Sequence, residues 1–149
     1  MQVKEIVKPA VIISESDTFE TAIKAMNNQM TNTLLVVDDS GQLTGEVTVA
    51  DLLDAIVPET LNGTEVMDHF KTDDAFIASI DIARNLPVSD FMSNDFSALT
   101  LNDNLMSIVA TAVAFQRARI PVVDEDNRPV GIISRQGLKR ILEKFLNAE

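Results

Sequence analysis

The chain has 149 residues, 46% hydrophobic and 23% charged, which suits one compact unit or two half-sized units sharing a core and excludes a disordered or fibrous class. Twelve Lys and Arg stand against 23 Asp and Glu, a formal net charge of −11, and so acidic a chain repels a phosphate backbone, which argues against a nucleic-acid partner. The absence of cysteine removes disulfides, thiolate nucleophiles and cysteine-ligated zinc together.

In chain order, the opening MQVKEIVKPAVIIS carries only a short apolar run, too short for a secretory core, so a cytoplasmic location is expected. Val11-Ile12-Ile13 reads as a strand, and Asp17 with Glu20 reads as a capping box opening a helix with Phe19, Ala22, Ile23, Met26 and Met30 on one face. LLVVD (Leu34–Asp38) is a buried strand, DSGQ a turn, and a returning antiparallel strand ends in GEVT (Gly45–Thr48) before a helix with Leu52, Leu53 and Ile56 apolar. Residues 59–87 are too long for a simple turn, and Phe70, Phe76, Ile77, Ile80 and Ala83 predict helical pieces broken near Gly63 and Asp73-Asp74.

The same order then recurs: a strand through Phe96 and Ala98-Leu99, and a helix with Leu105, Ile108, Val109, Ala112 and Val113. IPVVD (Ile120–Asp124), the turn EDNR, GIIS, and a helix with Leu138, Ile141, Leu142 and Phe145 follow. The stretch from Leu105 to Phe115, interrupted by Ser107 and Thr111, falls far short of the roughly 18 apolar residues of a membrane span, so direct membrane insertion is not expected.

Sliding the sequence against itself explains the recurrence. Asp17 pairs with Asp103, Val37-Asp38 with Val123-Asp124, Gly45 with Gly131, Thr48 with Ser134 and Leu52 with Leu138, all at an offset of 86, while Val3 meets Val88 at 85. The expected fold is therefore α+β: two tandem β-α-β-β-α repeats packed sheet to sheet about a pseudo-twofold axis. Residues 1–58 form repeat 1, 59–87 a helical insert and 88–149 repeat 2, the two repeats making one module.

GEVTVAD (Gly45–Asp51) sets a threonine where a strand gives way to a helix, with a carboxylate three residues on. A helix start offers unpaired N–H groups and partial positive charge to a phosphate, the Thr48 hydroxyl can donate, and Asp51 can accept from ribose hydroxyls. The same Thr-x-x-Asp spacing is also a capping box that serves the helix alone, and spacing leaves both roles open.

The ordered duplication, with its PVVD-like and Gly-apolar-apolar-[Ser/Thr] segments, resembles the CBS domain pair, or Bateman module, from Val3 to about Phe145. That resemblance implies a regulatory module without catalytic residues or a required cofactor. It implies a cleft binding AMP, ADP, ATP or S-adenosylmethionine, a homodimer, and a regulated protein that the sequence does not name. Carried over, Thr48 and Asp51 become ribose and phosphate ligands, while Lys8, Pro9, Val11, Thr33 and Leu34 resemble adenine-pocket edges. Repeat 2 departs from the pattern, with Ser134 at the hydroxyl position but Gly137 where the acid should stand. Arg119, ahead of Ile120-Pro121, resembles a phosphate-binding arginine, and Arg135 follows Ser134 directly.

Residues 117–149 hold seven of the 12 bases and five acids, about +2 net, against −13 for the remainder, so an anion meets its most favourable field near repeat 2. The lone His69 reads as a surface or interface residue, and the acidic pairs lack the alternating spacing of a calcium loop, so no metal site is expected. Two other functions stay open: a divalent-cation-responsive regulatory piece of a transporter system, and a ligand-free dimerisation module.

Overall fold

A computed structural model of the chain describes residues 1–57, 61–115 and 119–147. The fold is α+β. Repeat 1 comprises β1 (Ile12–Ser14), α1 (Phe19–Gln29), β2 (Thr33–Val37), β3 (Leu43–Thr48) and α2 (Val49–Ile56). The insert forms α3 (Gly63–His69) and α4 (Asp73–Ala83). Repeat 2 supplies α5 (Leu105–Phe115), β4 (Ile120–Val123), β5 (Pro129–Ile133) and α6 (Arg135–Leu146). The boundary expected between residues 58 and 59, and residues 148–149, lie outside the described residues.

Strand register carries the duplication into space. β2 runs antiparallel to β3 with Val36 opposite Gly45, and β4 antiparallel to β5 with Val122 opposite Gly131. The hairpin turns match too: Gly41 at φ 84° and its counterpart Asn127 at φ 61° are both left-handed, the conformation glycine and asparagine tolerate best. The turns meet across the repeats, where Asn127 Nδ2 donates to the Leu43 carbonyl at 3.2 Å and Gln42 Nε2 to the Asp126 carbonyl at 3.1 Å. Beneath them Leu35, Leu43 and Val123 form a buried seam with Ala10, Phe96, Ala98 and Ile132.

Several expectations are corrected. The cap of α1 is Thr18, whose hydroxyl accepts from Thr21 N at 3.2 Å, whereas Asp17 closes the preceding turn by accepting from Ser14 N at 2.9 Å. Met30 leaves the helical face, being the left-handed residue (φ 53°) that ends α1, and is 93% exposed. β1 lies parallel to β2, but its repeat 2 counterpart shrinks to one parallel bridge, Leu99 to Val122, with Phe96 and Ala98 packed on the seam. In the insert the helical pieces are separate, as expected, and Gly63 and Asp73 open α3 and α4 behind the caps Asn62 and Thr72.

The repeats exchange their leading segments. Val3 is fully buried among Leu99, Ile108, Ile120, Val122, Ile133 and Ile141 of repeat 2, and Val88 is fully buried among Ile13, Ala22, Met26, Leu34, Val36 and Val47 of repeat 1. Backbone pairing follows suit: Lys8 bridges Ile132 with both N–H···O distances at 2.8 Å, and Ser93 bridges Glu46 at 2.8 and 2.9 Å. Burying one valine is worth about 1.5–3 kcal/mol, so each repeat owes a comparable share of its core to a segment that precedes the other in sequence.

Candidate functional site

Where α2 begins, the repeats leave an open cleft of about 360 Å³ lined by Asn32, Thr48, Val49 and Ala50 from repeat 1 and by Arg119 and Arg135 from repeat 2. Arg119 directly precedes β4, and Arg135 is the first residue of α6. Under the 86-residue offset their repeat 1 counterparts are Thr33 and Val49, so only repeat 2 contributes cations. Burial, and after it the neighbouring Arg135 charge, lowers the Arg119 guanidinium from its ordinary value. Among the described residues the ion pairs are Lys24–Glu20, Arg84–Glu20 and Arg84–Asp81, and neither cleft arginine has a carboxylate partner.

The first turn of α2 faces both this cleft and a second recess. Thr48 N donates to Asp51 Oδ2 at 2.8 Å, the Thr48 hydroxyl donates to the same oxygen at 3.1 Å, and Asp51 N donates back to the hydroxyl at 3.4 Å. The capping box is thus formed. Residues 49 and 50 lie in the first turn, where backbone N–H groups lack intrahelical partners, and both line the cleft. Asp51 instead lines a recess of about 280 Å³ with Asp54, Ala55 and the exchanged segment Asp90–Ser93. Burial raises the Asp51 carboxyl above its usual value, against the opposing hydrogen bonds from Thr48.

The remaining sequence-designated residues disperse. Lys8 sits at the edge of repeat 2, its ammonium donating to Gln136 at 3.3 Å, and Pro9 is exposed. Val11 packs on the core of repeat 1, and Thr33 is buried opposite Thr48 in the β2–β3 register. Leu34 and Ile120 lie in the core, 0% and 1% exposed. Pro121 is buried on β4, and Ser134 caps α6 by accepting from Gly137 N at 3.1 Å. Sequence reasoning missed Asn32, Val49 and Ala50, although applying the offset to Arg135 points directly at Val49.

The CBS domain family matches residues 3–58 and 88–144. The chain belongs to that family. Among solved structures, the CBS domain of a membrane protein from Sphaerobacter thermophilus superimposes with a TM-score of 0.75 at 26% identity, covering 94% of this chain and 86% of that one. CBSX2 of Arabidopsis thaliana, solved in complex with AMP, gives 0.70 at 21% over 98% of both chains. The CBS domain pair of protein MJ0100, solved with 5′-methylthioadenosine and S-adenosyl-L-methionine, gives 0.72 at 18% over 97% of this chain and 98% of that one. A UPF0053 protein of Mycobacterium tuberculosis is 22% identical over 121 residues, 80% of this chain but 27% of the relative. The magnesium and cobalt efflux protein CorC of Buchnera aphidicola is 33% identical over 57 residues, 38% of this chain and 20% of the relative. This CBS pair therefore spans about a quarter of the length of its mycobacterial relative.

Gly137 occupies the repeat 2 position of Asp51. A Cβ there would meet Ser134 Oγ at 3.6 Å, Ile133 Cγ2 at 3.7 Å and Ile6 O at 3.9 Å, all ordinary contacts. Gly137→Ala is expected to stabilise this CBS pair by about 0.5–1 kcal/mol, read as a higher urea midpoint at unchanged slope, because the space exists and α6 gains helix propensity.

Proposed function

We propose that this CBS pair is a cytoplasmic, non-catalytic regulatory module that binds an adenosine-containing nucleotide between its repeats, the nucleoside at Asp51 and the phosphates at Arg119 and Arg135. The observation carrying the proposal is the pair of guanidiniums, without a carboxylate partner among the described residues, facing the first turn of α2 across the repeat boundary. Partly burying the Arg119 guanidinium beside a second one, with no acid lining the cleft, costs stability, and an anion offsets that cost. Asp51 has Oδ2 engaged by Thr48, while its other oxygen takes no hydrogen bond among the described residues and suits a ribose hydroxyl. The AMP complex of CBSX2 and the S-adenosylmethionine complex of MJ0100 support the ligand class.

Asn32 and Val49 also wall an apolar chamber of about 350 Å³ bounded on its far side by Phe76 and Ile80 of α4, giving occupancy of the cleft a contiguous route to the insert. α4 thereby lies beside the α1–α2 face. The matching face of repeat 2 leaves Met106, Val109, Val113, Leu142, Phe145 and Leu146 between 42% and 82% exposed, and there we place the contact of a homodimer.

The test is thermal melting with AMP, ADP, ATP and S-adenosylmethionine added separately, since a ligand at 100 times its dissociation constant stabilises by about 2.7 kcal/mol. Asp51→Ala and Thr48→Ala are expected to abolish most of the ligand-dependent shift, each compared with its own ligand-free melt because losing the cap costs about 1 kcal/mol by itself. A full shift in both variants would remove the nucleoside from α2. CorC supports a second reading, a divalent-cation-responsive piece of a transporter system, and a shift with Mg²⁺ alone would put that first. Among the described residues no three His, Asp or Glu side chains stand together as a cation site.

A further inference from the structure

We infer that the inter-repeat cleft selects its ligand by charge, taking one nucleoside polyphosphate per chain and rejecting adenosyl compounds that carry a sulfonium. The inference rests on the nucleotide reading above and narrows it. Three observations converge. The cleft is lined by two guanidiniums and no carboxylate, while the recess beyond the first turn of α2 is lined by Asp51, Asp54 and Asp90. A ligand spanning that turn therefore needs an uncharged, hydroxyl-bearing end and a strongly anionic end, and a nucleoside polyphosphate has that polarity.

The second observation is the magnitude of the positive charge. Two guanidiniums and a helix start, worth about half a unit charge, are balanced by two or more phosphates. A sulfonium adds a third cation to two guanidiniums that line one cleft without a carboxylate. The third is asymmetry. Pseudo-twofold duplication would supply two equivalent anion sites, but the offset replaces the arginines by Thr33 and Val49 in repeat 1, and repeat 2 carries Gly137 in place of Asp51. One copy keeps the acid and the other keeps the cations, so only one complete site is assembled, and it uses both.

The experiment is isothermal titration of the full chain with sodium tripolyphosphate, ATP, AMP and S-adenosylmethionine, repeated with Arg119→Gln and Arg135→Gln. The expected result is one site per chain, ATP at least about tenfold tighter than AMP, measurable tripolyphosphate binding, no S-adenosylmethionine heat, and a loss of about tenfold or more in each variant. Arg135, exposed on the first turn of α6, supplies a variant that leaves the core untouched should Arg119→Gln fail to fold. Equal binding of ATP and S-adenosylmethionine overturns charge selection and leaves the nucleotide reading standing, as does binding of ATP that both variants retain in full. Two sites per chain overturn the shared-site assignment. Silence from every ligand removes both readings.

Discussion

Replacing Gly131 by alanine is expected to destabilise the module by about 3 kcal/mol, the upper end of what overpacking costs, and well beyond the effect of the same change at Gly45. A Cβ on Gly131 would overlap the carbonyl oxygen of Lys8 and approach Val7 Cγ2 to 2.7 Å. The carbonyl cannot step aside cheaply, because it accepts from Ile132 N at 2.8 Å while Lys8 N donates to Ile132 O at the same distance. Displacing it breaks both bonds and levers the leading segment, Val3 included, off the core of repeat 2. At Gly45 the Cβ would meet chiefly the Met92 side chain, Sδ at 2.6 Å and Cγ at 3.0 Å, with the Ser93 carbonyl at 3.0 Å. A thioether chain can swing, so about 1 kcal/mol is expected there. Urea denaturation of both variants measures the difference, and a Gly131→Ala midpoint within error of wild type would show that the crossing segment is loosely held.

That pair of glycines shows what the sequence makes legible. Their recurrence at an offset of 86 exposes the duplication, and short apolar runs such as LLVV and IPVV, bounded by turn residues, place strands covered on both faces. The reason for the glycines is not in the pattern, because self-similarity is blind to which copy a leading segment joins. Val3–Val7 aligns with Val88–Met92 whether each stays home or crosses over. The site divides the same way. Arg119, Arg135, Thr48 and Asp51 stand out by residue type and position, but that the arginines face the Thr48 side of the turn while Asp51 serves another recess depends on long-range packing. Leu34 resembles a pocket edge in sequence because an apolar side chain at a strand start suits an adenine wall and a core equally well.

A chain lacking residues 1–10 is expected to lose cooperative folding, the larger of the two effects. Removal takes Val3 from the middle of the repeat 2 core, about 1.5–3 kcal/mol, and leaves the Ile132 N–H and the Asp103 and Leu101 carbonyls without the partners they have in Lys8, Val3 and Lys4. These groups turn to water once the segment is gone, so each lost hydrogen bond costs about 0.5–1.5 kcal/mol, and with Val3 the total approaches the lower part of the 5–15 kcal/mol that holds an average domain together. Repeat 1 is not spared, because Ala10 packs on the Leu35–Leu43–Val123 seam through which the repeats lean on one another. Circular dichroism against urea should therefore show one broad, early transition in the truncated chain instead of a native repeat 1 beside an unfolded repeat 2. Adding a peptide of residues 1–10 in trans should restore part of the lost midpoint in wild-type sequence but not in a Gly131→Ala background, where the groove that receives it is blocked. Persistence of a sharp transition in the truncated chain at the full-length midpoint would mean that repeat 2 closes its core unaided, and the account of segment exchange as a stabilising device would fall.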